Sequence, residues 1–365
     1  MKTSNYLWAV LAAVTLSLTA CGGEENENTE PQKMEARLVL TLSGTSANTR
    51  STGAALPTEA SEKTIGRVAV AIFNKDKSVN IIQEFTSTSG ISVKCKPGTD
   101  CTGIVVANAP ANHFAGVTTK DAFIAKTIDL TQTATALPMS GDIKLSTSTT
   151  FTLTAGATSN LTAEVSRLVA RVAINSIKTA FESSGQYAAA TFTAKKIFLH
   201  NANTKSNVDP GTPTVSVPLS GEVDATNPGL QTALNQAITT TPYTTPYWFY
   251  TFAHNATTPT KLVIYGSFDA DGAGTAATAK NVYYPVVVNK LQPGTTINAD
   301  GTAIGSAAGG KGDGTISRNS TYTITATIKG IGVDDPDDDI NPAVLNLTVS
   351  VAGWALNITQ DVEFN

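Results

Sequence analysis

The chain of 365 residues carries 25 Lys and Arg against 29 Asp and Glu, a formal net charge of −4, and is 41% hydrophobic but only 15% charged. A weakly acidic chain with no basic stripe lacks the electrostatic footprint of a nucleic-acid binder, and 3 His leave little material for a histidine metal site or an acid–base centre. Abundant Thr with Val and Ile favours strands over a helical bundle, in a chain long enough for more than one packed core.

Lys2 precedes an apolar run from Tyr6 to Leu16, and small residues lead into Leu18-Thr19-Ala20-Cys21. This is the layout of a signal peptide over residues 1–20. The tetrapeptide has the form of a bacterial lipobox, which makes Cys21 the lipidated (palmitate-bearing) first residue of the exported chain and gives it an anchor, not a span. The acidic stretch Glu24 to Gln32 is too polar to bury a core and reads as a tether.

Strand signals then follow in order. Met34 to Leu42 is apolar at every even position, so Ala36, Leu38, Leu40 and Leu42 share one face of a half-buried strand. Thr64 to Asn74 is a second strand, stopping at Asn74-Lys75-Asp76-Lys77. Cys95 and Cys101 bracket a Pro-Gly turn; in an exported protein they are expected to close a local disulfide across a hairpin. Further strands are expected from Gly103 to Val106, Thr150 to Leu153, Phe192 to His200, Lys261 to Phe268, Val282 to Val288, Tyr322 to Ile328, Val344 to Val351 and Trp354 to Phe364. Leu161, Val165, Leu168, Val169 and Val172 fall at helical spacing, which predicts a turn of helix running into a strand. Many short strands separated by turns predict an all-β chain of sandwiches.

An internal repeat divides the chain near residue 160. Arg37-Leu38-Val39-Leu40 followed by Arg67 to Asn74 matches Arg171-Val172-Ala173-Ile174 followed by Lys195 to Asn201, and Pro138-Met139-Ser140-Gly141 matches Pro218-Leu219-Ser220-Gly221. The expected organisation is a propeptide over residues 21–50, one sandwich over 51–160 and a second over 161–365.

Chemical motifs are sparse. His113, His200 and His254 stand far apart, and Gly272-Ala273-Gly274 and Gly309-Gly310-Lys311-Gly312 lack the strand–loop–helix context of a phosphate cradle. Asp334-Asp335-Pro336-Asp337-Asp338-Asp339 is the densest charge run, but the EF-hand ligand order is absent, and it reads as a solvated loop. Tyr243, Tyr247, Trp248, Phe249 and Tyr250 are better suited to a core strand than to stacking on sugars. No catalytic residue, metal or cofactor is expected.

Two segments carry the functional expectation. The Ser/Thr/Gly/Asn-rich stretch around Arg50 and Ser51 is an exposed loop open to proteases. A cut there would release the Met34–Leu42 strand and leave a sheet edge open for strand addition. The C-terminal segment places Trp354, Leu356, Ile358, Val362 and Phe364 at even positions, the same pattern as the strand that would leave.

The arrangement resembles the fimbrillin family, the lipoprotein-derived subunits of type V pili in Gram-negative bacteria. The resemblance rests on the lipobox with Cys21, Arg50 ahead of the Val68–Phe73 strand, Leu137-Pro138-Met139-Ser140-Gly141, Arg167-Leu168-Val169-Ala170-Arg171-Val172, Pro259 to Ile264, Tyr283 to Val288, Arg318 to Ile324, the acidic Asp–Pro loop and Trp354. It implies two transthyretin-like Greek-key sandwiches in tandem, lipoprotein secretion to the outer membrane, and cleavage by an arginine-specific protease after Arg50. It also implies polymerisation by donor-strand exchange at the cell surface, with further copies and with anchor and tip subunits as partners and adhesion as the outcome. The competing expectation is a lipid-anchored surface glycan-binding sandwich that uses the aromatic cluster.

Overall fold

The computed structural model describes residues 35–44, 59–211, 215–222, 229–254, 257–275, 278–290, 313–340 and 345–353. Strands dominate them, as the Thr- and Val-rich composition requires. In the first half, β1 (Ala36–Gly44), β2 (Val68–Phe73), β3 (Val79–Phe85), β4 (Ile91–Cys95), β5 (Gly98–Ala107), β7 (Met139–Lys144) and β9 (Thr158–Arg167) pair in the order β3-β2-β5-β7-β9-β1-β4, with β8 (Phe151–Leu153) paired to β5. The second half forms two sheets. One joins β10 (Val169–Thr179), β16 (Tyr247–Phe252), β19 (Ser320–Ile328) and β20 (Leu345–Gly353) in the order β16-β10-β19-β20. The other joins β11 (Thr191–His200), β15 (Gln231–Ile238), β17 (Lys261–Asp269) and β18 (Ala279–Val287) in the order β15-β11-β17-β18. Two short pairs complete the pattern: β12 (Ala202–Asn203) with β14 (Pro218–Leu219), and β6 (Thr127–Asp129) with β13 (Lys205–Asn207). The second of these joins the two halves.

The halves repeat one pairing scheme. β1 lies between antiparallel β4 and parallel β9, just as β10 lies between antiparallel β16 and parallel β19. β2 has antiparallel neighbours on both sides, β3 and β5; so does β11, with β15 and β17. Two of the three sequence matches fall on these equivalent strands. The third does not, since Met139 opens β7 in the main sheet whereas Leu219 belongs to the two-residue β14.

Burial follows from composition. All six residues of β2 are buried between its two neighbours, which is why Val68 to Phe73 reads as a continuous apolar run. The two described α-helices are short, α1 (Glu59–Glu62) and α2 (Lys120–Ile124). Thr119 caps α2 by accepting the Ala122 N–H at 3.2 Å, and the helix serves to bring Phe123 against Phe114, with ring centroids 4.1 Å apart. Gly141 is required where β7 crosses β9, because a Cβ there would run into the Glu164 carbonyl.

Two expectations are corrected. The turn of helix near Leu161 is strand: Leu161, Ala163, Val165 and Arg167 all point inward from β9 at a period of two, and β10 begins at Val169. The apolar residues that mimic helical spacing come from two different strands meeting at Leu168. The cysteine pair is also not a hairpin staple. β4 pairs with β1, whereas β5 pairs with β2, β7 and β8, so Lys96-Pro97 crosses between strands that are not neighbours. Cys95 and Cys101 are both buried free thiols, and burial, with the nearby Cys101 adding to it, pushes Cys95 up to about 11.

Candidate assembly strand and the seam between the halves

β1 is inserted rather than appended. Its Cα register runs from Arg37 opposite Thr158 to Gly44 opposite Val165 on β9, and from Ala36 opposite Cys95 to Leu40 opposite Ile91 on β4. Ala36, Leu38 and Leu40 are fully buried and Leu42 partly so, whereas Glu35, Arg37 and Thr41 face solvent. The even-position pattern therefore sets which face enters the core, as the alternation of a strand demands. The polar face is tied lightly at the surface: Arg37 Nε donates to Ser92 Oγ at 2.7 Å, and Lys94 Nζ meets Glu35 Oε2 at 3.1 Å. Such exposed pairs are worth little. Removing β1 would uncover apolar core and leave the facing edges of β4 and β9 unpaired.

Downstream, α1 returns the chain to the fold through a buried charge cluster. Glu62 is 1% exposed, and both its carboxylate oxygens accept from Arg171 Nη1 at 2.9 Å. The Tyr250 hydroxyl donates to Glu62 Oε1 at 2.7 Å, and Arg167 Nε donates to the Glu62 carbonyl at 3.0 Å. Burial and the neighbouring Glu62 carboxylate together drive the Tyr250 hydroxyl far above the usual phenol range. The cluster gathers α1, β9, β10 and β16, and thus both halves of the chain.

Arg318 ties the same seam without a carboxylate. Its Nε donates to the Arg167 carbonyl at 3.1 Å, Nη1 to Pro210 O at 2.9 Å and Asp209 O at 3.2 Å, and Nη2 to Ser166 O at 2.7 Å and Ser140 O at 3.2 Å. Burial brings its pKa down to about 10, still cationic at neutral pH. Gln132 adds a further tie, accepting from the Tyr250 N–H at 2.7 Å and donating to the Tyr250 carbonyl at 2.9 Å.

The acidic run around residue 337 is also structural. Lys261 Nζ donates to the carbonyls of Pro336, Asp337 and Asp338, at 3.1, 2.7 and 3.3 Å. His200 Nε2 lies 2.6 Å from Asp337 Oδ1 and its Nδ1 lies 3.0 Å from Ser220 Oγ. These are the members of a hydrolase triad in the wrong order: the serine faces Nδ1 instead of Nε2, and the Asp337 side chain is 72% exposed. The His200 contact holds the Asp337 carboxyl below its usual range. Among the described residues, no three His, Cys, Asp or Glu side chains gather as metal ligands.

The aromatic cluster is split by β16. Phe249, Tyr250 and Phe252 are buried, and Tyr250 spends its hydroxyl on Glu62. Tyr243 and Tyr247 stack with centroids 6.4 Å apart and share a hydroxyl contact of 2.9 Å. Of the residues expected to act in maturation and assembly, Ala36, Leu38, Leu40 and Leu42 are placed on β1. Cys21, Arg50, Ser51, Trp354, Leu356, Ile358, Val362 and Phe364 lie outside the described residues. Sequence reasoning missed Glu62, Arg171 as a buried partner, and the stapling role of Arg318; each looks like a surface charge until its burial is known.

Comparison with known proteins places this architecture. Residues 36–167 match the family model for the major fimbrial subunit protein FimA. A fimbrilin (fimA) from Porphyromonas gingivalis W83 is similar at a TM-score of 0.62 and 20% identity, over 88% of this chain and 98% of that one. A putative cell adhesion protein from Bacteroides eggerthii gives 0.60 and 21%, over 88% and 96%. One from Parabacteroides distasonis gives 0.64 and 18%, over 90% and 99%. Likeness at these identities speaks for the fold. Residues 36–167 are thus similar in sequence to the major fimbrial subunit protein FimA, and over most of its length the chain has the fold of the Porphyromonas gingivalis fimbrilin.

Proposed function

We infer that this protein is a building subunit of a cell-surface fimbrium, exported as a lipoprotein through Cys21, cut after Arg50 by an arginine-specific protease, and polymerised by strand exchange. In that exchange β1 leaves its own subunit. Residues 354–364 of another copy, bearing Trp354, Leu356, Ile358, Val362 and Phe364, take its place.

The observation that carries the reading is the position of β1. It is a single strand near the chain's start, bonded along both edges and buried on one face, and residues 45–58 with Arg50 separate it from α1. Cutting that connection is the one covalent step needed to free it. The strand that replaces it needs only the alternating apolar pattern that the C-terminal residues possess. Each large apolar side chain buried in the exchange contributes roughly 1.5–3 kcal/mol before entropic costs, so several in series make a slowly dissociating joint. Accessory anchor and tip subunits would join by the same strand addition, adhesion belongs to the assembled fimbrium, and no catalytic role is proposed.

The test is an Arg50→Ala variant expressed in the native host. Surface protein from the unaltered chain should begin at Ser51 and run as an SDS-resistant ladder. The variant should remain an uncleaved monomer. A normal ladder from Arg50→Ala would refute the maturation step.

A further inference from the structure

The groove that β1 fills has two unlike ends. At one, Gly44 lies opposite Val165, and β9 runs on through Ser166 and Arg167 into Leu168 and β10. Arg318 of the second half donates there to the Ser166 carbonyl at 2.7 Å and the Arg167 carbonyl at 3.1 Å. That end is closed by the chain's own second half. The Ala36 end is bare. It is framed by the β8–β9 turn, where Thr154, Ala155, Gly156 and Ala157 are all exposed, and by the exposed Lys94 and Lys96 at the end of β4. The Gly156 N–H donates to the Glu35 carbonyl at 3.2 Å, and the Ala157 carbonyl accepts the Arg37 N–H at 2.9 Å. Loss of β1 would leave both groups without these partners, at an edge open to another strand.

The inward places along the groove differ as well. Ala36, Leu38 and Leu40 are at most 3% exposed, whereas Leu42 is only partly buried. They set a test for any strand that replaces β1. One that begins at Trp354 brings Trp354, Leu356, Ile358 and Gln360 to these four places in turn. Leu356 and Ile358 then stand in for Leu38 and Leu40 with side chains of the same volume, the change that cores tolerate best. Gln360 takes the place of Leu42, where its amide reaches water. Sliding the strand by two, four or six residues puts Gln360 in place of Leu40, Leu38 or Ala36, and buries an amide without a partner. Sliding it by one turns Asn357, Thr359 and Asp361 inward. Sliding it the other way draws on Ala352, which is paired with Thr321 in the sheet of β20. Trp354 falls at the mouth of the groove, which loses every residue upstream of Ala36 together with β1.

Building on the strand exchange inferred above, we propose that a second copy of this chain enters the groove at its Ala36 end and runs in the direction of β1. Trp354, Leu356, Ile358 and Gln360 occupy the places of Ala36, Leu38, Leu40 and Leu42, and Gln360 selects this register. Gly353 ends β20 opposite Ser320 and directly precedes Trp354, so no linker separates the two bodies. The corner where Ser320 meets Gly353 in the entering copy therefore seats on the 154–157 turn of the receiving copy, whose small side chains permit the close approach.

Cysteine pairing on the solvent face reads the register without touching the packing. Arg37 lies opposite Lys94 and both are exposed; in the proposed register Ala355 takes the place of Arg37. Full chains carrying Lys94→Cys and Ala355→Cys are expressed together in the native host, their polymer is oxidised with diamide, and joined peptides are measured by mass spectrometry. A second culture pairs Lys94→Cys with Asn357→Cys. Joining of 94 to 355 should exceed joining of 94 to 357 by at least about tenfold, because a disulfide tolerates little displacement. Adding Gln360→Leu to the Asn357→Cys chain should raise the 94–357 product, since the later register no longer buries an amide. Preferential joining at 357, or at neither position although polymer forms, overturns the register and leaves strand exchange standing. So does a 94–357 yield that Gln360→Leu leaves unchanged, or polymer from the parent but none from the substituted pairs. A parent chain that forms no ladder overturns strand exchange itself, and the register with it.

Discussion

Leu38 offers the sharpest test of the assembly strand, because its importance should depend on the stage of maturation. Its side chain is fully buried on β1, opposite Val93 of β4 and Ser159 of β9. Truncation to Ala removes that burial and leaves a void that a strand bonded on both edges cannot collapse, so the precursor should lose about 2–5 kcal/mol. With a urea slope of about 3 kcal/mol/M, the unfolding midpoint of the precursor falls by roughly 1 M. Thr41, on the solvent face of the same strand, is the control, and Thr41→Ala should stay within about 0.5 kcal/mol. The decisive measurement is on polymer assembled from cleaved protein, in which β1 is gone: there Leu38→Ala should cost nothing. Equal losses in precursor and polymer would show that β1 never leaves. A Leu38→Ala cost no larger than that of Thr41→Ala would show that the strand does not pack as described.

Deleting residues 358–365 should leave secretion and Arg50 cleavage intact but abolish the SDS-resistant ladder; a persisting ladder refutes the donor role. Arg171→Met strands the buried Glu62 carboxylate and should cost about 3–5 kcal/mol in urea unfolding, whereas pairing it with Glu62→Leu should recover most of that loss. Burial holds His254 below the usual imidazole range, so the unfolded chain binds the extra proton once pH falls below about 6.5. Stability should therefore decline as pH drops from 7 towards 5, and His254→Gln should flatten that decline in calorimetry at stepped pH.

Much of the fold is legible where one face of a strand is wholly apolar. Leu38 and Leu40 on β1, Val68 to Phe73 on β2 and Tyr322 to Ile328 on β19 announce themselves in this way. The edge strands β3 and β15 do not, although β18 and β20 at the opposite edges do. β3 and β15 carry Asn80, Gln83, Gln231 and Gln236 among their apolar residues, because an edge needs little core contact. β9 misleads for a different reason: its fourth inward residue is Arg167, whose charge conceals the period of two. Cys95 and Cys101 show the limit of spacing arguments, since five intervening residues fit a hairpin or a crossover equally well, and only the pairing of distant strands decides. The seam was illegible altogether. Glu62, Arg171 and Arg318 are charged letters in the sequence, and their value as ties arises from burial created by segments more than a hundred residues away.

The repeated pairing scheme turns on one asymmetry. β1 and β10 hold equivalent places, each between an antiparallel and a parallel neighbour, so pairing alone does not make one of them removable. Their connections do. β10 follows β9 through the single residue Leu168, which is fully buried and whose N–H is bound to the Pro138 carbonyl at 2.8 Å. It also carries Arg171, which Glu62 holds from across the seam. Releasing β10 would break a buried ion pair and drag β9 out of its own sheet. β1 carries no buried charge, and residues 45–58 stand between it and α1. Glu62 then has a second consequence under the proposed maturation: by pinning α1 to β9, β10 and β16, it would keep the chain downstream of the cut in place if the upstream strand departs. The clamp on one side of the proposed cut and a strand without buried charge on the other would then be complementary halves of one device, in which cleavage would free β1 and leave α1 held.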